Sequence, residues 1–255
     1  LGLVLVGKKE PEARLVLDQR YSSRVKRTQQ TNSEDVFQTY MNAVSRSFDP
    51  HTAYFSPRAT ENFNIEMRLS LEGIGTVLRM DEEQINVMEV VPGGPADLSK
   101  QIKPGDIITG VAQGDRGAMT DVVGWRLDDV VELIRGKRGS VVRLQITPDG
   151  GRASGISKTV RLVRDTIKLD KKAAQSEIKT IHSYGRDYRV GVITIPAFYS
   201  DFAAAQRGDN DYRSTTRDVR HLLEQLQREK IDGLLIDFRQ NGGGSLAEAV
   251  ELTGL

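Results

Sequence analysis

Apolar and polar positions change rhythm twice along this chain, and each change predicts a different kind of structure. Over residues 1–68 the spacing is helical. Val36, Phe37, Tyr40, Met41, Val44 and Phe48 fall on one face, which predicts a helix beginning near Glu34. Asn32 or Ser33 can cap it, and Asp49-Pro50-His51 stops it, because proline disfavours helix in the residue before it.

From Ser70 to about Val163 the texture is one of short strands and turns. Ile85, Val87 and Val90-Val91 suggest one strand, Pro92-Gly93-Gly94-Pro95 must turn, and Pro104-Gly105-Asp106 turns again before Ile107-Ile108. Val142, Leu144 and Ile146 alternate with polar residues as in a half-buried strand, and Val160 and Leu162 suggest its return. Asp149 to Ser157 reads as a Gly/Ser loop. Leu127, Val130, Val131 and Ile134 follow the helical spacing, with Gly136 just past the end. The last stretch changes again. Val190 to Ile195 predicts a strand, Val219, Leu222, Leu223 and Leu226 a helix, and Gly233 to Ile236 an apolar strand of the doubly covered parallel kind. That order implies a βαβ unit. Ala203 to Tyr212 is polar and reads as a mobile loop.

Composition narrows the classes. Lys plus Arg number 36 against 35 Asp plus Glu, a net charge of +1, so no broad field exists to hold nucleic acid. No run approaches the roughly 20 apolar residues that span a bilayer, and Leu1–Val6 is too short for a leader. The first residue is Leu1 and the first methionine is Met41, so an internal fragment is expected. There are no cysteines, and His51, His182 and His221 lie far apart. Thiolate metal sites and disulfides are excluded, and no metal site is expected.

Two segments carry chemistry. In Leu71-Glu72-Gly73-Ile74-Gly75-Thr76 two glycines flank one apolar residue at the start of a strand. Such a turn can aim successive main-chain N–H groups into one concavity that suits a carboxylate, beside an edge to which a peptide can add. By itself Gly-x-Gly reads as a plain β-turn, and the rest of the region is what changes that reading. The second is Asp237-Phe238-Arg239-Gln240-Asn241-Gly242-Gly243-Gly244-Ser245, between an apolar strand and a helix. Ser245 and Glu248 have capping-box spacing. Glycines at a helix start offer bare N–H donors to a phosphate or a tetrahedral oxyanion, and the missing Gly-Lys-Ser/Thr argues against phosphate. Ser245 lacks the nucleophile-elbow context. His182 and His221 are candidate bases in principle only. Asp128-Asp129 suits a helix start.

Four blocks in order resemble a bacterial PDZ domain: Glu72–Gly75, Val90–Ala96, Ile102–Ile108 and Asp128–Gly136. By that resemblance Gly73, Ile74 and Gly75 would hold a tail's carboxylate, and Val130 and Ile134 would line the side-chain pocket. Periodicity fits groove or core equally for the last two. The Asp-Phe-Arg-x-Asn-Gly-Gly-Gly stretch, with Ile195-Pro196-Ala197-Phe198-Tyr199 and the ending Asp49–Pro57, resembles the tail-specific, or C-terminal processing, serine proteases, over about residues 25 to 255. The resemblance implies a Ser nucleophile and a Lys base, neutral through desolvation, both in motifs this sequence does not contain, and the Gly244 N–H as an oxyanion donor.

The expected fold is α+β and multidomain: a helical region over 1–68, a PDZ-like β-sandwich or barrel with helices over 69–165, and the start of an α/β protease core over 166–255. The resemblance further implies a periplasmic setting in a Gram-negative cell envelope, partners that are C-terminal tails of unfolded or envelope proteins, a lipoprotein adaptor, and no cofactor. The rival reading is a non-enzymatic PDZ binding module whose protease-like part is scaffold.

Overall fold

A computed structural model describes residues 9–81, 83–148 and 157–255. Leu1–Val6 and residues 149–156 of the expected Gly/Ser loop lie outside them.

Three helices open the chain: α1 (Glu10–Gln29), α2 (Ser33–Phe48) and α3 (Pro57–Arg68). Asn32 caps α2 in a reciprocal box, its side chain accepting from the Asp35 N–H and Asp35 accepting from the Asn32 N–H, both at 3.0 Å. Ser56 caps α3, with Pro57 preset for the first turn. The apolar stripe of α2 forms as expected, but none of its residues is buried. Helix α3 instead buries Ile65 and Met67 and ends on Leu69, held left-handed at φ 50°.

The strands that follow are β1 (Ser70–Gly73), β2 (Thr76–Asp81), β3 (Gln84–Val90), β4 (Ile107–Gln113), β5 (Thr120–Asp121), β6 (Val141–Thr147), β7 (Lys158–Val163) and β8 (Asp165–Lys168). One sheet runs β2-β3-β4-β6-β7, with β5 paired to β4. Alternation in β6 is strict: Val142, Leu144 and Ile146 are fully buried. The Pro-Gly-Gly-Pro turn continues into a short helix, α4 (Pro95–Ser99), which sequence reading missed. Helix α5 (Leu127–Ile134) packs Val130 and Ile134 into a core with Ile74, Ile85, Val111 and Leu144. The buried Arg164 closes its C-terminal end, donating to the Ile134 carbonyl at 2.7 Å and the Leu133 carbonyl at 2.9 Å. A helix end whose last carbonyls are buried needs such a donor. Strand β8 returns to pair antiparallel with β1, Gly73 opposite Asp165, so the expected boundary between 165 and 166 runs through a strand that ties both ends of this region together.

The last region is a sheet of order β11-β10-β9, from β9 (Gln175–Ser183), β10 (Arg186–Thr194) and β11 (Gly233–Asp237). Strands β9 and β10 form an antiparallel hairpin. Strand β11 lies parallel to β10 after a crossover through α7 (Thr215–Arg228), which buries Val219 and Leu226. The expected mobile loop from Ala203 begins instead inside a capped helix, α6 (Phe202–Gln206), where Asp201 accepts from the Ala204 N–H. Leu234, Leu235 and Ile236 were expected to be covered on both faces and are 44, 52 and 41 % exposed. Helix α8 (Leu246–Leu252) ends the chain. Among the described residues no helix is long and apolar enough to cross a membrane. The whole is a mixed α+β structure of several helices and sheets.

Candidate functional site

The turn between β1 and β2 is built so that its carbonyls are used and its amides are not. The Ile74 carbonyl accepts from the Ala96 N–H at 2.9 Å and the Gly75 carbonyl from the Val91 N–H at 2.8 Å. Among the described residues nothing accepts from the N–H of Ile74 or of Gly75. Gly75 adopts φ +78°, and a Cβ there would meet the Ile167 side chain at 3.3 Å and the Gly94 Cα at 3.4 Å. Glycine is therefore needed both for the conformation and for the close approach of Val91–Gly94 behind the turn.

Beside this turn β2 is the edge of its sheet, paired only with β3, and α5 lies against it. An edge strand with a helix alongside is the frame in which an extended peptide adds as a further strand. The side chains of Ile74, Val130 and Ile134 all point into the core cluster, at 2, 0 and 4 % exposure. Leu127, Val131 and Leu133 of α5 and Leu78 of β2 are apolar and half-buried, with Leu78, Leu127 and Leu133 packed against the core cluster. Sequence reading placed Leu127 and Val131 in the helix stripe without marking them as candidates for the groove.

The second site follows β11. Asp237 holds Arg239 through both carboxylate oxygens, at 3.0 Å and 2.7 Å. The Arg239 side chain, then the Arg239 N–H, lower the Asp237 pKa to about 2. Asn241 braces the turn twice, donating to the Ile195 carbonyl at 3.1 Å and accepting from the Gly243 N–H at 2.7 Å. The Gly242 N–H goes to the Pro196 carbonyl, and the Ser245 N–H to the Phe198 carbonyl. Of the N–H groups of Gly242, Gly243, Gly244 and Ser245, that of Gly244 alone has no acceptor among the described residues, and Gly244 is exposed. Its φ is +138°, and a Cβ would lie 2.3 Å from the Phe198 carbonyl oxygen. The chain thus presents one amide outward by tying down those around it, which is the arrangement an oxyanion donor requires.

Ser245 caps α8 by accepting from the Glu248 N–H at 3.4 Å. The other half of the expected capping box does not form. The buried Glu248 carboxylate turns to α7 instead, accepting from Ser214 Oγ at 2.8 Å and from the Thr216 N–H at 2.9 Å. It serves as that helix's N-terminal anion. Neighbouring Tyr199, fully buried, donates to Asp218 at 2.6 Å and accepts from the Ala174 N–H at 3.0 Å. Burial first, then the Asp218 hydrogen bond, raise its pKa well above that of an ordinary phenol. Both networks join residues distant in sequence, and no local signal announces them. His182 pairs with Asp187 at 2.8 Å on an exposed hairpin, and His221 with Gln225 one turn on. Neither meets Ser245. Among the described residues, no group of three or more His, Asp or Glu side chains gathers as a metal site would need.

A PDZ domain joined to a protease-type core is the class that this fold and these two amide sites define. Family comparisons agree region by region: tail-specific protease N-terminal domain over residues 3–58, PDZ domain over 62–147, and peptidase family S41 over 189–255. The chain is 42 % identical to the tail-specific protease of Haemophilus influenzae over 255 residues, all of this chain and 34 % of that protein. It is 26 % identical to the carboxy-terminal processing protease CtpA of Bacillus subtilis over 81 % of this chain and 37 % of that protein. Among solved structures, the PDZ domain of a carboxy-terminal protease from Vibrio cholerae in complex with peptide is 52 % identical, covers 40 % of this chain and all of that one, and superposes with a TM-score of 0.37. The photosystem II D1 C-terminal processing protease is 21 % identical over 87 % of this chain and 53 % of that one, with a TM-score of 0.42. The chain belongs to the tail-specific, C-terminal processing protease family, and spans about a third of the length of the curated relatives it matches.

Proposed function

We propose that the protein of which this chain is part is a serine endopeptidase that grips the apolar C-terminus of an unfolded protein and cuts that chain. The grip is the β1–β2 turn, with the tail's carboxylate on the N–H groups of Ile74 and Gly75, its backbone along β2, and its last side chain against α5. The cut uses the Gly244 N–H as an oxyanion donor, with a serine nucleophile and a lysine base outside these 255 residues. Its setting is the periplasm, its substrates envelope proteins, and a lipoprotein adaptor assists it. The observation that carries this reading is the pair of unspent amides at Ile74 and Gly75 beside an unpaired strand edge. Incubating the chain with a labelled peptide ending in apolar residues tests it. Binding without hydrolysis is expected. Specific cleavage would place the nucleophile inside the chain, and absence of binding would remove the tail-gripping role.

A further inference from the structure

Arg164, at the end of β7, is 3 % exposed and donates to five acceptors: the carbonyls of Ile134, Leu133 and Val141, Ser140 Oγ and Gln113 Oε1, at 2.7–3.2 Å. A guanidinium has five N–H donors, so none is left over for a ligand, and none of the five acceptors is a carboxylate. Desolvation lowers its pKa, but an arginine keeps its charge. A cation is therefore held in a cage of neutral oxygens, at the end of α5 where the helix dipole is negative. A planar fork meets five acceptors in one orientation only, and its loss leaves buried carbonyls unpaired. The cage thus fixes where the last turn of α5 lies.

The main chain at the same place holds the opposite wall of the tail groove. Asp165, the next residue, pairs with Gly73. Ile167, two positions further on, would lie 3.3 Å from a Cβ on Gly75. Gly136 passes over the guanidinium, where a Cβ would sit 3.1 Å from the Arg164 Cζ, and its N–H reaches the Glu72 carbonyl at 3.5 Å. Helix α5 and the β1–β2 turn, between which a tail's last side chain would lie, are tied to one another through a single residue. We propose that Arg164 is a positioning residue that sets the distance from α5 to the β1–β2 turn, and through it the size of the last side chain that the groove accepts. This inference rests on the tail-gripping role of Ile74 and Gly75.

The test titrates two labelled peptides, identical but for a last residue of alanine or of phenylalanine, against the 255-residue chain by fluorescence anisotropy. The unaltered chain is expected to separate them by roughly tenfold or more, as a pocket of fixed size does. Arg164→Lys keeps the charge but not the fork, and Arg164→Met keeps neither. Both are expected to bring the ratio of affinities to about twofold, measured where circular dichroism shows the variant folded. Ile146→Val, a change in the buried face of β6 that lowers stability without touching the cage, is expected to leave the ratio as it was. Gln113 is exposed, and Gln113→Ala removes one acceptor of Arg164. It should move the ratio part of the way, and it decides the matter if the Arg164 variants do not fold. A ratio unchanged in Arg164→Lys and Gln113→Ala, one that Ile146→Val shifts equally, or one near unity in the unaltered chain overturns the size-setting role and leaves the grip standing. Binding of neither peptide by the unaltered chain overturns the grip itself.

Discussion

Gly75 and Gly244 both lie at positive φ, at +78° and +138°, but for different physical reasons, and substitution separates them. A Cβ on Gly75 would make contacts of 3.3–3.5 Å with Ile167, Gly94 and Val91, tight but not impossible. Gly75→Ala therefore mainly incurs the left-handed conformation, about 1–2 kcal/mol, and is expected to disturb the turn that carries the Ile74 and Gly75 amides. At Gly244 the new Cβ would be 2.3 Å from a main-chain oxygen, which cannot yield without breaking the Phe198–Gly243 and Ser245–Phe198 hydrogen bonds. Gly244→Ala is expected to cost about 2–4 kcal/mol, strain plus two hydrogen bonds. Urea denaturation should rank Gly244→Ala well below Gly75→Ala, while peptide titration ranks them in reverse. Equal losses in both assays would mean that the two loops are coupled rather than independent.

Elements show where the sequence spoke clearly and where it was mute. Helix α5 and strand β6 were legible because each has one wet and one buried face, so period and burial coincide. Strand β9 was missed because it is exposed over most of its length and so carries little alternation. The stripe on α2 was legible as a helix, but none of its residues is buried, since periodicity reports that a face is apolar and not what covers it. The glycine turns were visible as motifs, but which amides stay free depends on Phe198, Val91 and Ala96, which are distant in sequence. Glu248 is the clearest case. Its spacing from Ser245 suggested a local cap, and the buried carboxylate instead bonds Ser214 and Thr216, joining α8 to the start of α7. Glu248→Ala would leave these buried donors unpaired. Loss of roughly 3 kcal/mol is expected, with Glu248→Gln losing clearly less because it keeps one accepting oxygen. Chemical denaturation followed by far-ultraviolet circular dichroism would measure both. An Ala variant as stable as its parent would show that water replaces the carboxylate and that α8 is not anchored through it.

At the scale of the molecule, several polar and charged contacts join the helical region to the PDZ domain. Arg126 meets Asp35 at 2.5 Å and also donates to the Gln30 carbonyl, Arg58 meets Asp129 at 2.9 Å, and Gln30 donates to the Gly124 carbonyl at 2.7 Å. The apolar face of α2 takes little part, since Val36, Tyr40 and Phe48 stay exposed. Asp35 is the hub. The Arg126 side chain, then the Asn32 N–H, lower its pKa. A carboxyl group whose pKa is lowered by docking stabilises the docked state above the free carboxylate pKa of about 3.9. That contribution is lost as pH falls below it and the group takes up a proton. Partial exposure of the pair, 22 and 30 % for Arg126 and Asp35, holds the effect to about 1 kcal/mol, enough to loosen a joint but not to unfold a core. Trp125, the single tryptophan, is next to Arg126 and reports on this contact. Acidification below about pH 4 should therefore shift Trp125 emission, and open the α1–α3 region to protease, before circular dichroism shows the sheet unfolding. Asp35→Asn should display the shifted emission already at pH 7 and no further change across that window. If emission and circular dichroism change together in both proteins, the two regions are held by something other than this carboxylate.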